Sequence, residues 1–285
     1  MIGFLNINKP SGITSSAVVS KVRKKMMIKK VGHMGTLDPM ASGVLPVAIG
    51  KATRLFDYFL NKSKIYYAEF EFGYETTTLD SEGEIVKQNS NCPSKQDVLN
   101  VLYKFVGKIQ QLPPNYSAKK VNGATAYNLA RKNIQVELKP CTVEIFDIKL
   151  IEQISDNRFS FEINCGSGTY IRSIARDLGY ALNTFGTMTK LVRVKSGDGF
   201  LIENSLELQE FIELENVENM ILPCDEVFKF NKYYLSDSEY ISVRNGLKTC
   251  FINPFLEDTF LYYNSKLIGI AENNIKYLKI KVNLE

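Results

Sequence analysis

The sequence has few residues that could hold a metal ion. It contains one histidine, His33, and its five cysteines are widely spaced with no CxxC pair. A site that needs two imidazoles is therefore excluded, and neither a cysteine zinc site nor a disulfide framework is supported. The sequence also lacks a GxGxxG fingerprint after a strand and a GxxxxGK[ST] loop, so dinucleotide and nucleoside triphosphate sites have no support. We expect reduced cysteines, no metal, no cofactor, and chemistry that uses side chains alone.

Long apolar segments are also missing. No apolar run is long enough to span a bilayer, and the N-terminus lacks the pattern of a secretory signal peptide. The 285 residues suffice for one large domain and one small domain with a sizeable core. These features predict a cytoplasmic protein with no membrane partner.

Acidic residues are absent from the chain before Asp38, although the net charge is only +4. Val18 and Val22 recur at helical spacing after a cap at Thr14 or Ser15, which predicts a helix with basic residues on its other faces. Such a face is either simply solvated or a surface for phosphate groups, and the residues alone leave both interpretations open. The basic residues of this leader are Lys9, Lys21, Arg23, Lys24, Lys25, Lys29 and Lys30.

Asp38 lies in the stretch GHMGTLDPMASGVLP at 32–46. Pro39 disfavours the helical conformation for Asp38, and Gly35 and Gly43 allow close approach of the backbone. We therefore expect Asp38 to project from a loop. Composition alone favours an ordinary Asp-Pro turn.

The same stretch closely resembles the motif around the catalytic aspartate of the TruB-type tRNA pseudouridine(55) synthases. That family reads approximately GHxGxLDPxAxGxLP, and this sequence fits every fixed position. The segments KIYYAEFEFG at 64–73, QLPPNYSAKKVNGATAYNLAR at 111–131 and CGSGTYIR at 165–172 are similar to family segments in the same order. The resemblance covers most of residues 1–200. It implies an isomerase that converts uridine 55 in the T loop of tRNA to pseudouridine, on a base flipped out of the loop.

The resemblance implies three catalytic residues, namely Asp38, Tyr66 and Arg172. Asp38 matches the catalytic carboxylate and Arg172 the arginine that pairs with it, while three roles stay open for Asp38: attack on C1′, attack on C6, or removal of a sugar proton. Without the resemblance, Arg172 is an ordinary surface arginine beside Asp177. The alternation of residues 64–73 likewise places Tyr66 on the apolar face of a strand, where tyrosine is more often a core residue.

The resemblance also implies a set of substrate-binding residues. His33 is expected to fill or stack on the space that the flipped base vacates, although a satisfied loop histidine is the plainer interpretation. Tyr66 and Tyr170 are expected to pack near the target base, and Leu191 matches an apolar residue of the uracil pocket. The set is completed by the two basic residues Lys9 and Arg193. No metal ligand is expected.

The segment at 111–131 is expected to grip the T arm of tRNA. Its paired prolines forbid a helix or central strand at its start, so it should begin as an irregular projecting loop. Its basic and aromatic residues suit an RNA backbone and unstacked bases. The chain departs from the family at Ser167, where relatives commonly have a lysine, and this removes one positive charge near the site.

Further periodic patterns predict the surrounding elements. Alternating apolar residues over 158–165 predict a strand, and Ile171, Ile174, Ala175 and Leu178 form the buried stripe of a helix with Thr169 as its cap and Arg172 and Arg176 on its surface. Two capping boxes, Ser94 with Asp97 and Ser236 with Glu239, predict the starts of two helices. The first helix is expected to extend to Gly107, with Val106 on its apolar face. The second of these helices is expected to stop at Gly246 and to be followed by four short strands, two of them joined by a turn at Asn264 and Ser265.

We predict a mixed α/β (α+β) fold. Residues 1–228 form a pseudouridine synthase catalytic domain on a largely antiparallel sheet, and residues 229–285 form a small β-rich PUA-like RNA-binding domain. The protein is expected to act on tRNA as a monomer without a protein partner. Two alternatives are a guide-RNA-dependent pseudouridine synthase catalytic subunit and a tRNA-folding chaperone or binding module.

Overall fold

A computed structural model of the chain describes residues 1–60, 62–117, 119–121, 123–126, 129, 134, 138–247, 257–272 and 277–285. In chain order, the helices and strands among these residues are β1 (Gly3–Lys9), α1 (Ser15–Met26), β2 (Val31–His33), β3 (Ser42–Ile49), α2 (Phe56–Leu60), β4 (Lys64–Phe72), β5 (Tyr74–Thr76), β6 (Ile85–Gln88), α3 (Lys95–Leu102), β7 (Gly107–Gln111), β8 (Lys120–Val121), β9 (Ala124–Thr125), β10 (Cys141–Gln153), β11 (Arg158–Cys165), α4 (Ile171–Ala181), β12 (Gly186–Ser196), β13 (Phe200–Leu201), β14 (Leu206–Glu207), α5 (Leu208–Glu213), α6 (Cys224–Val227), β15 (Asn231–Tyr234), α7 (Asp237–Arg244), β16 (Thr259–Tyr263), β17 (Lys266–Ala271) and β18 (Ile280–Asn283). Short 3-10 helices cover Gly50–Leu55, Tyr103–Phe105, Ile202–Asn204 and Glu218–Met220.

One large sheet carries the first part of the chain. Its strand order is β14-β1-β3-β12-β4-β11-β10-β7, with β2 paired to β3 and β13 paired to β12. Only the β1–β14 and β3–β12 pairs are parallel. The predicted mixed α/β fold on a largely antiparallel sheet is therefore confirmed. The strand β12, which carries Leu191 and Arg193, lies between β3, which follows the Asp38 stretch, and β4, which carries Tyr66. These three segments of the predicted site are therefore neighbours.

The predicted alternation along β4 is confirmed. Tyr66, Ala68, Phe70 and Phe72 are all buried on one face. The Phe70 ring lies 4.8 Å from that of Phe161 on β11, centroid to centroid. Aromatic packing between neighbouring strands therefore forms the centre of the core, beneath the start of β4 where Tyr66 lies.

The predicted capping boxes and the N-terminal helix are confirmed, but α3 is shorter than predicted. The side chain of Thr14 accepts a hydrogen bond from the Ala17 N–H and begins α1. A capping box of Ser94 and Asp97 begins α3, which ends at Leu102. A 3-10 turn follows, Gly107 begins β7, and Val106 is 45% exposed instead of packed. The pairing of β7 with β10 overrides the helical pattern at this point.

Two predictions about α4 are wrong, although its buried stripe is confirmed. Tyr170 occupies the N-cap position without a side-chain cap, and the Thr169 hydroxyl instead donates to the Gly166 carbonyl at 2.9 Å. Arg172 is buried, at 5% exposure, because its guanidinium turns inward onto carboxylates and carbonyls. The helix therefore directs a charge into the protein.

The C-terminal residues form a four-stranded sheet of order β15-β16-β17-β18. The predicted turn at Asn264 and Ser265 is confirmed, and both residues have positive φ angles, of 46° and 64°. This sheet shares an aromatic core with the large sheet. The core residues that come from both parts of the chain include Phe4, Phe59, Phe200, Phe228 and Phe260. A cut near the predicted boundary at 228/229 would therefore expose a packed core.

Other sequence expectations concern single residues and helices. Cys92, Cys141, Cys165 and Cys224 are free thiols, as predicted, and Cys250 lies outside the described residues. No helix in the described part of the chain is long and apolar enough to cross a membrane.

Candidate active site

Asp38 lies in an irregular loop, residues 34–41, between β2 and β3. Its neighbour Leu37 is tied at both backbone groups to the buried Ser15 hydroxyl, which donates to the Leu37 carbonyl at 3.0 Å and accepts from the Leu37 N–H at 2.9 Å. On the other side of Asp38, the Pro39 carbonyl accepts from the Gly12 N–H at 2.8 Å. The start of α1 therefore fixes the loop on both sides of the carboxylate.

Two buried cations, Lys9 and Arg193, bind backbone carbonyls in and around the same loop. Lys9 is fully buried, and its ammonium donates to the carbonyls of Pro10, Ile13 and Pro39 at 2.9, 2.7 and 3.1 Å. Arg193 is 1% exposed and donates to the carbonyls of Val44, Gly35 and Thr36 at 2.7, 3.1 and 3.5 Å. Gly43 is required beside Arg193, because a Cβ there would collide with the Arg193 backbone at a φ of +100°.

Asp38 and Arg172 form a forked ion pair. The Arg172 Nε lies 2.9 Å from Oδ2 of Asp38, and Nη2 donates to Oδ1 at 3.0 Å. The remaining guanidinium donors bind the carbonyls of Thr78 and Tyr116 at 2.9 and 3.0 Å. The Arg172 side chain is 6% exposed and that of Asp38 is 31% exposed. The carboxylate is thus fixed in direction while one side of it faces open space.

Burial raises the pKa of the Asp38 carboxyl, and the Arg172 guanidinium opposes that rise most strongly. The nearby Asp80 also raises this pKa, whereas Lys9 lowers it. Both oxygens of Asp38 accept hydrogen bonds from a cation, an arrangement that fits the ionised carboxylate. The site therefore holds a partly desolvated anion, a state suited to a nucleophile or a base.

Tyr66 lies on β4 opposite Arg193 of β12, and Ala68 lies opposite Leu191. Leu191 and Tyr66 therefore share one face of the sheet. Burial raises the pKa of the Tyr66 hydroxyl above its ordinary value, and Arg193 lowers it to a smaller extent. At neutral pH the phenol is consequently protonated, so it can donate a hydrogen bond but is a reluctant base.

His33 is the last residue of β2 and is half-buried. Burial lowers the pKa of its imidazole, and Arg193 lowers it further. Its Nδ1 is buried and has no hydrogen-bond partner among the described residues. A neutral ring offers no charge to a phosphate, and the buried Nδ1 is not available to a ligand.

The structure brings most of the predicted site residues together. Lys9 and Arg193, however, are buried against the backbone of the loop that carries Asp38. Burial lowers the pKa of the Lys9 ammonium to about 8, and Arg193 contributes to this fall. The Lys9 ammonium donates to backbone carbonyls, and Arg193 bonds both backbone carbonyls and the side chain of Tyr66. Direct contact of Lys9 and Arg193 with substrate stays a prediction, and their observed contacts favour a positioning role.

Three further residues of this region escaped the sequence analysis. Asp80 is 4% exposed and lies 3.4 Å from Nη1 of Arg172. Lys64 is 7% exposed, and burial lowers its ammonium pKa to about 8. This ammonium contacts Ser167, the residue that replaces the family lysine. Gln111 is fully buried and binds the backbone of Tyr170.

The predicted gripping segment is described in part. It begins irregularly, as predicted, but Pro113 and Pro114 are buried, so its first residues do not project. They pack on α4, where Ser173 donates to the Leu112 carbonyl at 2.9 Å. Tyr127 and Arg131 lie outside the described residues. A cavity of about 1090 Å³ lies between this segment, β5 and α4.

The arrangement resembles no metal centre. Among the described residues, no three His, Cys, Asp or Glu side chains are grouped to hold a metal ion. The site instead combines a part-exposed carboxylate with a buried guanidinium and a buried phenol.

Comparisons with known proteins identify a family. Residues 23–171 match the family model described as "TruB family pseudouridylate synthase (N terminal domain)". The chain is 42% identical over 280 residues to "tRNA pseudouridine synthase B" of Clostridium kluyveri, with 96% of each chain covered. It is 39% identical over 278 residues to the protein of the same name from Aquifex aeolicus, with 95% of this chain and 96% of that one covered.

Solved structures show the same fold. The crystal structure of a Cbf5-Nop10-Gar1 complex matches with a TM-score of 0.69 at 25% identity, and 95% of this chain and 78% of that chain are covered. The structure of an H/ACA RNP bound to a substrate RNA containing 2′-deoxyuridine matches with a TM-score of 0.72 at 22% identity, with 99% and 85% covered.

Proposed function

The chain belongs to the TruB family of pseudouridylate synthases, and from this premise we propose that it isomerises uridine 55 in the T loop of tRNA to pseudouridine. The observation that carries the proposal is the forked pair of Arg172 and Asp38, in which the arginine is buried and the Asp38 side chain is 31% exposed. Its relatives of similar length named tRNA pseudouridine synthase B support the choice of substrate.

The reaction breaks the bond between N1 of uracil and C1′ of ribose, turns the uracil, and joins it again through C5. Every atom is kept, so the reaction is an isomerisation that transfers a group within one molecule. The bond is hidden in a folded loop, and the base must first be flipped out, at a cost of a few kcal/mol. We propose that His33, which is half-buried and neutral, occupies the space that the base leaves.

Asp38 acts as the ionised carboxylate. Arg172 aims it and favours its charged form, whether Asp38 attacks C1′, attacks C6 or removes a proton from the sugar. Tyr66 presents a protonated phenol beside the target base, where its ring stacks and its hydroxyl donates a hydrogen bond. Leu191 and Tyr170 complete the pocket for the uracil.

Recognition of the T arm uses phosphate contacts around this cleft. Helix α1 and the residues after it expose several basic side chains, and none of them forms an ion pair with an acidic group in the described ranges. These residues are Lys21, Arg23, Lys24, Lys29 and Lys30. The segment at 111–131 is proposed to grip the arm, and residues 229–285 to form a PUA-like RNA-binding domain. Since its proposed substrate is tRNA, we place the protein in the cytoplasm, acting as a monomer without a protein partner.

Incubating the purified chain alone with an unmodified tRNA transcript tests the proposal, with pseudouridine located by a chemical mapping assay. We expect modification at position 55 of full tRNA and also of a short T-stem and loop hairpin. A guide-dependent subunit would leave both RNAs unmodified without added factors, and a chaperone would bind RNA without isomerising it.

Asp38→Ala is the matched variant for this assay. It should abolish isomerisation while tRNA affinity stays within severalfold, because one carboxylate adds little attraction to an interface dominated by phosphates. Turnover above a few per cent of the wild-type rate would overturn the assignment of Asp38.

A further inference from the structure

The side chain of Gln111 joins the end of β7 to the start of α4. Its Oε1 accepts a hydrogen bond from the Tyr170 N–H at 2.8 Å, and its Nε2 donates to the Tyr170 carbonyl at 3.1 Å. Gln111 is fully buried. One amide therefore satisfies both backbone groups of a residue that is 59 positions away in the chain.

This pair of bonds takes the place of a local helix cap. Tyr170 is the N-cap residue of α4, and no side chain of its own turn caps the helix. The first N–H groups of a helix have no partner within it and need an outside acceptor. Gln111 supplies that acceptor for the Tyr170 N–H, and its donor fixes the orientation of the same residue's carbonyl.

The residues after Gln111 fasten the same segment to α4. The Leu112 carbonyl accepts from Ser173 at 2.9 Å and from Arg176 at 3.0 Å. The Tyr116 carbonyl accepts from Nη2 of Arg172 at 3.0 Å, and that nitrogen also binds Asp38. The base of the proposed gripping segment is thus bonded to the residue that aims the catalytic carboxylate.

We propose that Gln111 is a positioning residue for the isomerisation: it sets the entry of α4, so that Arg172 reaches Asp38, and links the gripping segment to that pair. The inference rests on the proposed function and deepens it. Arg172 is the second residue of α4, so a rotation at Tyr170 displaces its guanidinium directly. Misplacement of a reacting group by about 1 Å can lower a rate about 100-fold.

Gln111→Met tests the proposal, since methionine has a similar shape and forms neither hydrogen bond. Gln110→Met is the control, because Gln110 is the exposed neighbour on the same strand and its side chain bonds Thr142 of β10. With folding checked by thermal melting, we expect Gln111→Met to lower the single-turnover rate at saturating tRNA about 10- to 100-fold. Its Kd for tRNA should stay within about threefold, and Gln110→Met should resemble the wild type.

The pH dependence separates positioning from a merely structural role. Arg172 lowers the pKa of Asp38, so a displaced guanidinium should raise that pKa and move the acidic limb of the rate profile to higher pH. Gln111→Glu should recover relative to the wild type as pH falls, because a protonated glutamic acid again offers one donor and one acceptor. A smaller active fraction with an unchanged profile would overturn the proposal.

Carbon-13 NMR of the Asp38 carboxyl gives a readout that needs no RNA. Its pKa should rise in Gln111→Met and stay unchanged in Gln110→Met. If the wild type does not isomerise tRNA but this rise is seen, the proposed function fails while the positioning of Arg172 by Gln111 stands. An unchanged pKa in Gln111→Met, together with a wild-type rate, would refute the positioning role.

Discussion

Replacing Arg172 by lysine keeps the positive charge but removes the planar fork. The guanidinium makes two bonds to Asp38 and two to the carbonyls of Thr78 and Tyr116. A lysine ammonium has three donors on a single atom and cannot span both carboxylate oxygens and two diverging carbonyls. We therefore expect Asp38 to keep at most one bond to the residue at position 172.

The size of the effect follows from the hydrogen bond that lysine cannot make. A hydrogen bond to a charged group contributes about 1.5–3 kcal/mol. If that bond orients Asp38 in the transition state, this energy corresponds to roughly a 10- to 150-fold fall in rate. The weaker pairing should also raise the pKa of Asp38, so the acidic limb of the rate profile should move to higher pH.

Single-turnover kinetics on tRNA across a pH series measure both effects. Arg158→Lys is the matched control, because Arg158 forms an ion pair with the buried Glu69, at 2.5 Å, away from Asp38. It should leave the rate and the pH profile unchanged. A folded Arg172→Lys protein with a near wild-type rate and an unshifted acidic limb would show that Arg172 does not hold Asp38.

Two further predictions test the RNA surface and the shared core. The double variant Lys21→Ala, Lys24→Ala should weaken tRNA binding and reduce the slope of log K against log salt by about one for each phosphate that is no longer neutralised. The control Lys95→Ala, on the exposed surface of α3, should change neither the affinity nor the slope. An equal slope in the wild type and both variants would show that the basic face of α1 is solvated surface. Phe228→Ala should lower the free energy of unfolding in denaturant by about 3–5 kcal/mol, because its ring packs on Phe59 at 5.2 Å and on other rings from both parts of the chain. A decrease under about 1 kcal/mol would contradict a shared core.

The features that the sequence predicted correctly are those that depend on short-range patterns of residues. The alternation on β4, the capping boxes and the Asn264–Ser265 turn depend on residues within a few positions of each other. The motif around Asp38 also correctly predicted a loop. Local patterns did not predict the contacts of Arg172, Asp80 and Gln111, because these contacts join distant parts of the chain. Arg172 and Asp38, for example, are 134 positions apart. No local rule for helix faces or turns contains such long-range pairs.

The failed cap at Thr169 shows the same limit in one place. Sequence rules look for a cap beside the helix start, and Thr169 satisfies them. The structure instead takes the cap from Gln111 on β7, which releases the Thr169 hydroxyl to close the glycine-rich turn at Gly166. A resemblance to the family identified the segments on both sides of this contact but not the contact itself.

The buried cations around Asp38, in the part of the chain that the structure describes, divide into one that pairs with its carboxylate and two that do not. Lys9 and Arg193 are both buried near Asp38, yet their observed hydrogen bonds go elsewhere: both bind backbone carbonyls in and around the loop that carries it, and Arg193 also bonds the side chain of Tyr66. Arg172 binds the carboxylate directly, and its interaction with Asp80 at 3.4 Å further limits its freedom to move. The rigid loop and the forked pair therefore fix the direction of Asp38 before RNA binds, so that little reorganisation is left for the transition state.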